Sequence, residues 1–265
     1  MSKATVTVAD GVCVIELNDP PANTYSYEMM LELDAAVLAA RMDPGVHVIV
    51  LRGAGEKFFC AGANIGMLKD ADPDYKYYFC LHASETLNRL EQTPKLVVAA
   101  LNGHTVGGGL EVAMAADLRI ARKDAGKIGL PEVALGVLPG TGGTQRLARL
   151  IGKARAIELM ATGRLLSMDE AKALGIVHDV WGDPELKNRN FNEAVFEYAK
   201  QFTPPNKASR AVGRMKRAVQ SGLEAGSLEG LSIERELQQL LFQSEDAKEG
   251  IAANLEKRRP EFKGR

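Results

Sequence analysis

The chain predicts an α/β fold, a stack of strand–strand–helix turns over residues 1–182 followed by a helical region at 183–265. Three observations point there. Short apolar runs such as Leu96-Val97-Val98-Ala99-Ala100-Leu101 have the length and composition of buried strands. A glycine-bearing corner, a second short run and small residues opening a turn or helix then follow, and this order recurs at 46–65, 96–116 and 117–133. From Asp183-Pro184 onward the apolar spacing is helical, predicting helices at 184–202, 206–222, 227–243 and 245–258.

Taken in order, Thr5-Val6-Thr7-Val8, the turn Ala9-Asp10-Gly11 and Val12–Leu17 predict a hairpin. Pro20-Pro21 cannot continue a ladder, so 18–23 is a loop. Ser26 can cap a helix that turns Met29, Met30, Leu33, Ala36, Val37 and Ala40 to one side. Residues 46–51 predict a second buried strand. The acidic, proline-bearing stretch Asp70-Ala71-Asp72-Pro73-Asp74 reads as an exposed loop. The helix expected after it, at 75–91, would turn Tyr78, Leu81, Leu87 and Leu90 inward.

The centre of the chain is Asn102-Gly103-His104-Thr105-Val106-Gly107-Gly108-Gly109-Leu110-Glu111. Three consecutive glycines cost backbone entropy, which makes sense where the backbone must approach something closely. At a helix start the first N–H groups lack intrahelical partners and the dipole favours negative charge, so an oxygen developing charge can sit over Gly108. Glu111 follows within one turn. An acidic first turn stabilises any helix, so the stretch needs partners elsewhere. Neither a dinucleotide fingerprint nor a P-loop fits, because position 112 is Val112 and no Gly-Lys-Ser/Thr follows. In a stack of turns, equivalent small-residue corners lie side by side. The N–H of Ala63, in Phe59-Cys60-Ala61-Gly62-Ala63-Asn64-Ile65, then meets that of Gly108 across one oxygen atom, as an oxyanion hole requires. A further carboxylate, Glu132, follows Pro131 and precedes a second glycine-rich corner, Pro139-Gly140-Thr141-Gly142-Gly143.

Bulk properties narrow the classes. Apolar residues make up 46% and charged ones 25%, as in soluble globular proteins, and a net charge of −1 is not that of a nucleic-acid binder. No run reaches membrane-spanning length, and Met1-Ser2-Lys3 opens no signal peptide. The 3 cysteines (Cys13, Cys60, Cys80) form no CxxC pair, which fits core residues in a reduced, cytoplasmic setting. The 4 histidines show no metal-ligand spacing. Lys207, Arg210, Arg214, Lys216 and Arg217 read as a solvated helix face. Leu228, Leu231, Ile233, Leu237, Leu240, Leu241 and Phe242 give more apolar surface than one helix buries alone, which suggests packing on the core or on another subunit.

With these motifs in place the chain resembles the crotonase superfamily, and within it the enoyl-CoA hydratase branch. The likeness rests on 59–65, 102–111, Pro131-Glu132 and the run from Pro139-Gly140 to Gln145-Arg146-Leu147, and extends from the hairpin to the C-terminal stretch 259–265. It implies a crotonase-type spiral of ββα turns, with the helical region covering an active site and mediating assembly. The implied reaction is reversible syn addition of water across a 2,3-enoyl-CoA to give a 3-hydroxyacyl-CoA, as in fatty-acid β-oxidation. Ala63 and Gly108 would bracket the thioester carbonyl. Glu111 would hold and deprotonate water while Glu132 protonates the α carbon, and the backbone of Gly140 would orient Glu132 or the water. Ala22, Ala61, Asn64, Ile65, Gly66 and Leu130 would contact substrate, and Phe262 and Lys263 would reach a neighbour's CoA.

The implied partner is an acyl-CoA thioester, with no cofactor beyond the CoA of the substrate, no metal, no nucleic acid and no membrane, in a homotrimer or homohexamer. Asn64, Gly66 and Leu130 stand where Asp, Lys and Gln are common, so the acyl group stays open. Relatives that only move a double bond often keep one of the two acids. Isomerisation, thioester hydrolysis and a non-catalytic, RNA-associated binding role are the alternatives.

Overall fold

The structure, a computed structural model, describes residues 2–69 and 71–265. It opens with β1 (Ala4–Ala9), β2 (Val12–Leu17), α1 (Tyr27–Met42), β3 (Val48–Gly53) and β4 (Phe58–Cys60). Next come α2 (Ile65–Lys69), α3 (Pro73–Glu91), β5 (Leu96–Leu101), β6 (His104–Val106), α4 (Gly108–Met114), β7 (Leu118–Arg122) and β8 (Ile128–Gly129). After a 3₁₀ turn, Glu132–Leu135, follow α5 (Gly143–Ile151), α6 (Lys153–Thr162), α7 (Met168–Ala173) and β9 (Asp179–Trp181). The chain ends in α8 (Asp183–Leu186), α9 (Phe191–Lys200), α10 (Ser209–Glu224), α11 (Ser227–Phe242) and α12 (Glu245–Leu255).

From β3 onward, successive strands alternate between two sheets. One has six strands in the order β1-β2-β3-β5-β7-β9, and the other has three, β4-β6-β8. Apart from the β1–β2 hairpin every pairing is parallel. Each turn thus lays one strand in the large sheet and the next in the small one before a helical segment or loop leads on: β3–β4, β5–β6, β7–β8. This is the predicted spiral of ββα turns. Asn102 fixes its pitch, accepting from the Gly53 N–H at 3.0 Å and donating to the carbonyls of Gly53 and Gly55, which ties one corner to the next.

Both faces of the large sheet are covered, so its central strands are apolar on both sides. Ile15, Leu17, Ile49, Leu51, Val97, Ala99 and Leu101 face a core shared with α1, α3 and α4. The alternate residues Val12, Val48, Val50, Val98 and Ala100 pack with Phe191, Val195 and Ala199 of α9. Each of these Val, Ile or Leu side chains contributes roughly 1.5–3 kcal/mol when fully buried. Ser26 caps α1 as expected, and Met29, Met30, Leu33, Ala36, Val37 and Ala40 are its buried residues.

Several expectations are corrected. Asp70 lies outside the described residues, but Asp72 caps α3 by accepting from the Tyr75 N–H, and Pro73 and Asp74 form its first turn. Phe79, Ala83, Thr86, Leu87 and Leu90 form the buried stripe of α3, whereas Tyr78 and Leu81 are exposed. The helix expected over 184–202 breaks at Lys187 and Asn188, both left-handed at φ 51° and 65°. Lys216 is not solvated: its ammonium lies 2.8 Å from Asp117 and donates to the carbonyl of Lys95, docking α10 on the ends of β5 and β7.

Candidate active site

The small parallel sheet brings three corners together at the C-terminal ends of its strands, where ligands of parallel sheets are commonly bound. β4 runs into Ala61-Gly62-Ala63, β6 into Gly107-Gly108, and β8 into Leu130-Pro131-Glu132. The first two touch, since a Cβ built on Gly62 would lie 2.8 Å from the Gly108 nitrogen. Gly62 has φ +86°, a conformation that side chains rarely adopt. The surrounding amides are committed: Ala61 N–H donates to Ala22, Asn64 N–H to Tyr25, and Gly107 N–H to Gly129. The N–H groups of Ala63 and Gly108 donate to nothing among the described residues. Gly108 is glycine because Tyr25 lies against it, its hydroxyl 2.2 Å from where a Cβ would stand.

These corners line a cavity of about 310 Å³ together with both glutamates. A larger groove, of about 1080 Å³, runs between the sheet edge and α9 and contains none of the three corners. Glu111, in the first turn of α4, is 2% exposed. Its Oε1 accepts from the Thr141 and Gly143 N–H groups, each at 2.7 Å, and its Oε2 from the Thr141 hydroxyl. Glu132 is half-buried and differently placed. Its Oε2 is buried without a hydrogen-bond partner among the described residues. Burial pushes its carboxyl up from 4.5 to about 7, its own backbone N–H opposes that, and the charge of Glu111 adds to it. Two acids in one cavity with unequal environments are suited to unequal proton-transfer roles.

Of the other residues singled out in sequence, Ala61, Ile65 and Gly140 line the cavity. The donors of the Gly140 corner serve Glu111 rather than Glu132. Ala22 stands behind the first corner, accepting from Ala61 N–H. Asn64 and Gly66 lie outside the cavity wall, with the Asn64 side chain accepting from Met67 N–H as the cap of α2. Leu130 is 3% exposed and belongs to the main core. Phe262 packs against Gly250 of α12, and Lys263 sits beside Glu245, both off the cavity in this single chain. Tyr25, Thr141 and Gly62 escaped the sequence reading as site residues, although Thr141 stands inside the glycine-rich corner that signalled the site.

Burial raises the thiols of Cys13 and Cys60 to about 11 and 12, which suits core residues and not nucleophiles. Among the described residues no three of His, Cys, Asp and Glu cluster in a way that could hold a metal ion, and no helix is long and apolar enough to cross a membrane.

Two sheets wound as a spiral, with paired amides and acids at the strand ends, define a crotonase fold. Residues 7–265 match the enoyl-CoA hydratase/isomerase family, to which the chain belongs. A probable enoyl-CoA hydratase of Bacillus subtilis (strain 168) is 38% identical over 268 residues, covering 100% of both chains. The crotonyl-CoA hydratase of Syntrophomonas wolfei is 36% identical, covering 95% of this chain and 94% of its own. The crystal structure of an enoyl-CoA hydratase from Geobacillus kaustophilus HTA426 superposes with a TM-score of 0.95 at 46% identity, covering 100% of this chain and 98% of that one. As a member of this family the chain is an enzyme, and the relatives named as hydratases are hydro-lyases.

Proposed function

We propose that the protein catalyses reversible syn addition of water across the 2,3 double bond of an enoyl-CoA, giving a 3-hydroxyacyl-CoA. The observation that carries this reading is the convergence of two uncommitted amides, Ala63 and Gly108, and two carboxyl groups, Glu111 and Glu132, on one cavity. The amides hold the thioester oxygen as it gains enolate charge, and being part of the backbone they need no reorganisation. Glu111, fixed by three donors, orients the water and takes its proton. Glu132, whose raised pKa keeps a proton available near neutrality, delivers one to the α carbon. In dehydration the roles exchange. Water adds without change of redox state, and the two acids supply both proton transfers.

Two acids at one cavity support hydration over double-bond migration, which needs only one proton shuttle. The apolar walls, including Ile65, Leu68, Val137 and Leu138, suit an acyl chain, and a volume of about 310 Å³ suits a short one. Incubation with crotonyl-CoA should remove the enoyl-thioester absorbance and yield the 3-hydroxyacyl product. An unchanged spectrum across a series of short enoyl-CoA substrates would discard the proposal.

Self-association belongs to the same reading. α11 buries none of its residues in the single chain, and Leu223, Leu228 and Phe242 are exposed. Such a surface supports self-association, and the family resemblance sets the proposed assembly as a homotrimer, alone or paired into a hexamer. Light scattering should give three or six times the mass of the chain, and a monomer at micromolar concentration would refute it.

A further inference from the structure

We infer that Tyr25 is a positioning residue for Glu111, acting through the hydroxyl of Thr141 to aim the carboxylate into the cavity. The inference rests on the activity proposed above for its catalytic consequence, but the arrangement itself is geometric.

Tyr25, Thr141 and Glu111 are 3%, 1% and 2% exposed, so hydroxyl, hydroxyl and carboxylate form a file shielded from solvent. The Tyr25 hydroxyl lies 3.3 Å from the Thr141 hydroxyl, which in turn hydrogen-bonds Glu111 Oε2. Proton counting sets the direction of the file. A threonine hydroxyl has one proton to donate, and a carboxylate can only accept. The proton of Thr141 therefore goes to Glu111, and Tyr25 donates its own to Thr141. Hydrogen bonds in series polarise one another in a low-dielectric interior, so the phenol strengthens the bond that orients Oε2. Oε1 is already held by two backbone donors, which leaves a free lone pair of Oε2 as the one to face water.

Tyr25 is itself held rigidly. Its N–H donates to the Gly62 carbonyl and its carbonyl accepts from Asn64 N–H, each at 3.0 Å. Its ring lies 5.8 Å from that of Phe79 and against Gly108. One residue thus joins both uncommitted amides to the acid opposite. A ring that only filled space would do so as phenylalanine, without the cost of burying a phenol.

The test is a double-mutant cycle with Tyr25→Phe, Thr141→Val and the double variant, plus Thr141→Ser, reading kcat and KM for crotonyl-CoA hydration and the urea midpoint of each. Tyr25→Phe should lower kcat about 3–10-fold, the range one neutral hydrogen bond supports, and change KM less than about twofold. The Tyr25→Phe effect should vanish in the Thr141→Val background and persist in Thr141→Ser. An unchanged kcat, an effect on KM alone, or an equal loss in the valine background would overturn the inference. The urea midpoints separate the two readings. Non-additive midpoints in a protein that does not hydrate enoyl-CoA would sink the activity and leave the link between Tyr25 and Thr141 standing. Additive midpoints and additive kcat losses in an active hydratase would sink the link alone, and additive midpoints with no turnover would sink both.

Discussion

The unequal environments of the two glutamates fix how hydration should respond to pH. Glu132 is desolvated without a compensating donor at Oε2, and its carboxyl lies near 7 where an exposed one lies at 4.5. Before water adds, the pair carries one proton, on Glu132; afterwards it carries one proton, on Glu111. Both directions therefore need the singly protonated pair. Because the equilibrium consumes no proton at neutral pH, kcat/KM for hydration and for dehydration must fall in parallel. With a midpoint near 7, the competent fraction is roughly one tenth at pH 8 and one hundredth at pH 9. The assay is kcat/KM for crotonyl-CoA and for 3-hydroxybutyryl-CoA between pH 5.5 and 9, about one unit apart at most. Glu132→Gln, which cannot ionise, should lose this alkaline limb along with most of its activity. A wild-type rate that stays flat to pH 9, or limbs of different shape in the two directions, would refute the assignment of the acid.

Other consequences are equally direct. Glu111→Gln should lower kcat about 10²–10⁴-fold while leaving folding intact, and near-normal turnover would remove Glu111 from the mechanism. Gly62→Ala places a methyl 2.8 Å from the Gly108 nitrogen at φ +86°, and should lower kcat about 10²–10³-fold. Gly175→Ala shares the backbone strain (φ +83°) with open space around it and should leave kcat alone, so equal losses in the two would assign the effect to strain. Lys216→Met strips Asp117 of its buried partner and should destabilise by about 3–5 kcal/mol in urea, with partial recovery in Lys216→Met/Asp117→Asn. A loss under about 1 kcal/mol would show the pair to be solvated.

The fold was legible because its strands are short, apolar and bounded by glycine, and because the same order recurs. The alternation of Val48, Ile49, Val50 and Leu51 between two cores needs no long-range information. Glu111 and Glu132 were legible for a related reason: Glu111 follows the glycine triplet 107–109, and Glu132 follows Pro131 and precedes a second glycine-rich corner. What was hidden depended on partners distant in sequence. Lys216 reads as one of several surface cations until Asp117 is brought beside it by β7. Tyr25, between the loop at 18–23 and the helix cap Ser26, carries no signal in the sequence; the bridge with Ala63 brings its ring against Gly108. Helix phase was misjudged on α3 because Tyr78 and Leu81 are apolar enough for a core, yet packing against α1 selects the stripe through Phe79 and Ala83. Asn64, which the resemblance sets at the substrate, stands beside the first corner with its side chain capping α2.

The central claim concerns main-chain amides, which side-chain substitution cannot delete, so the ligand has to report on them. In the slow Glu111→Gln variant, the carbonyl stretch of a bound, isotopically labelled enoyl-CoA should fall below its position in water, because two fixed donors draw charge onto the oxygen. A band at its aqueous frequency would mean that Ala63 and Gly108 do not grip the thioester.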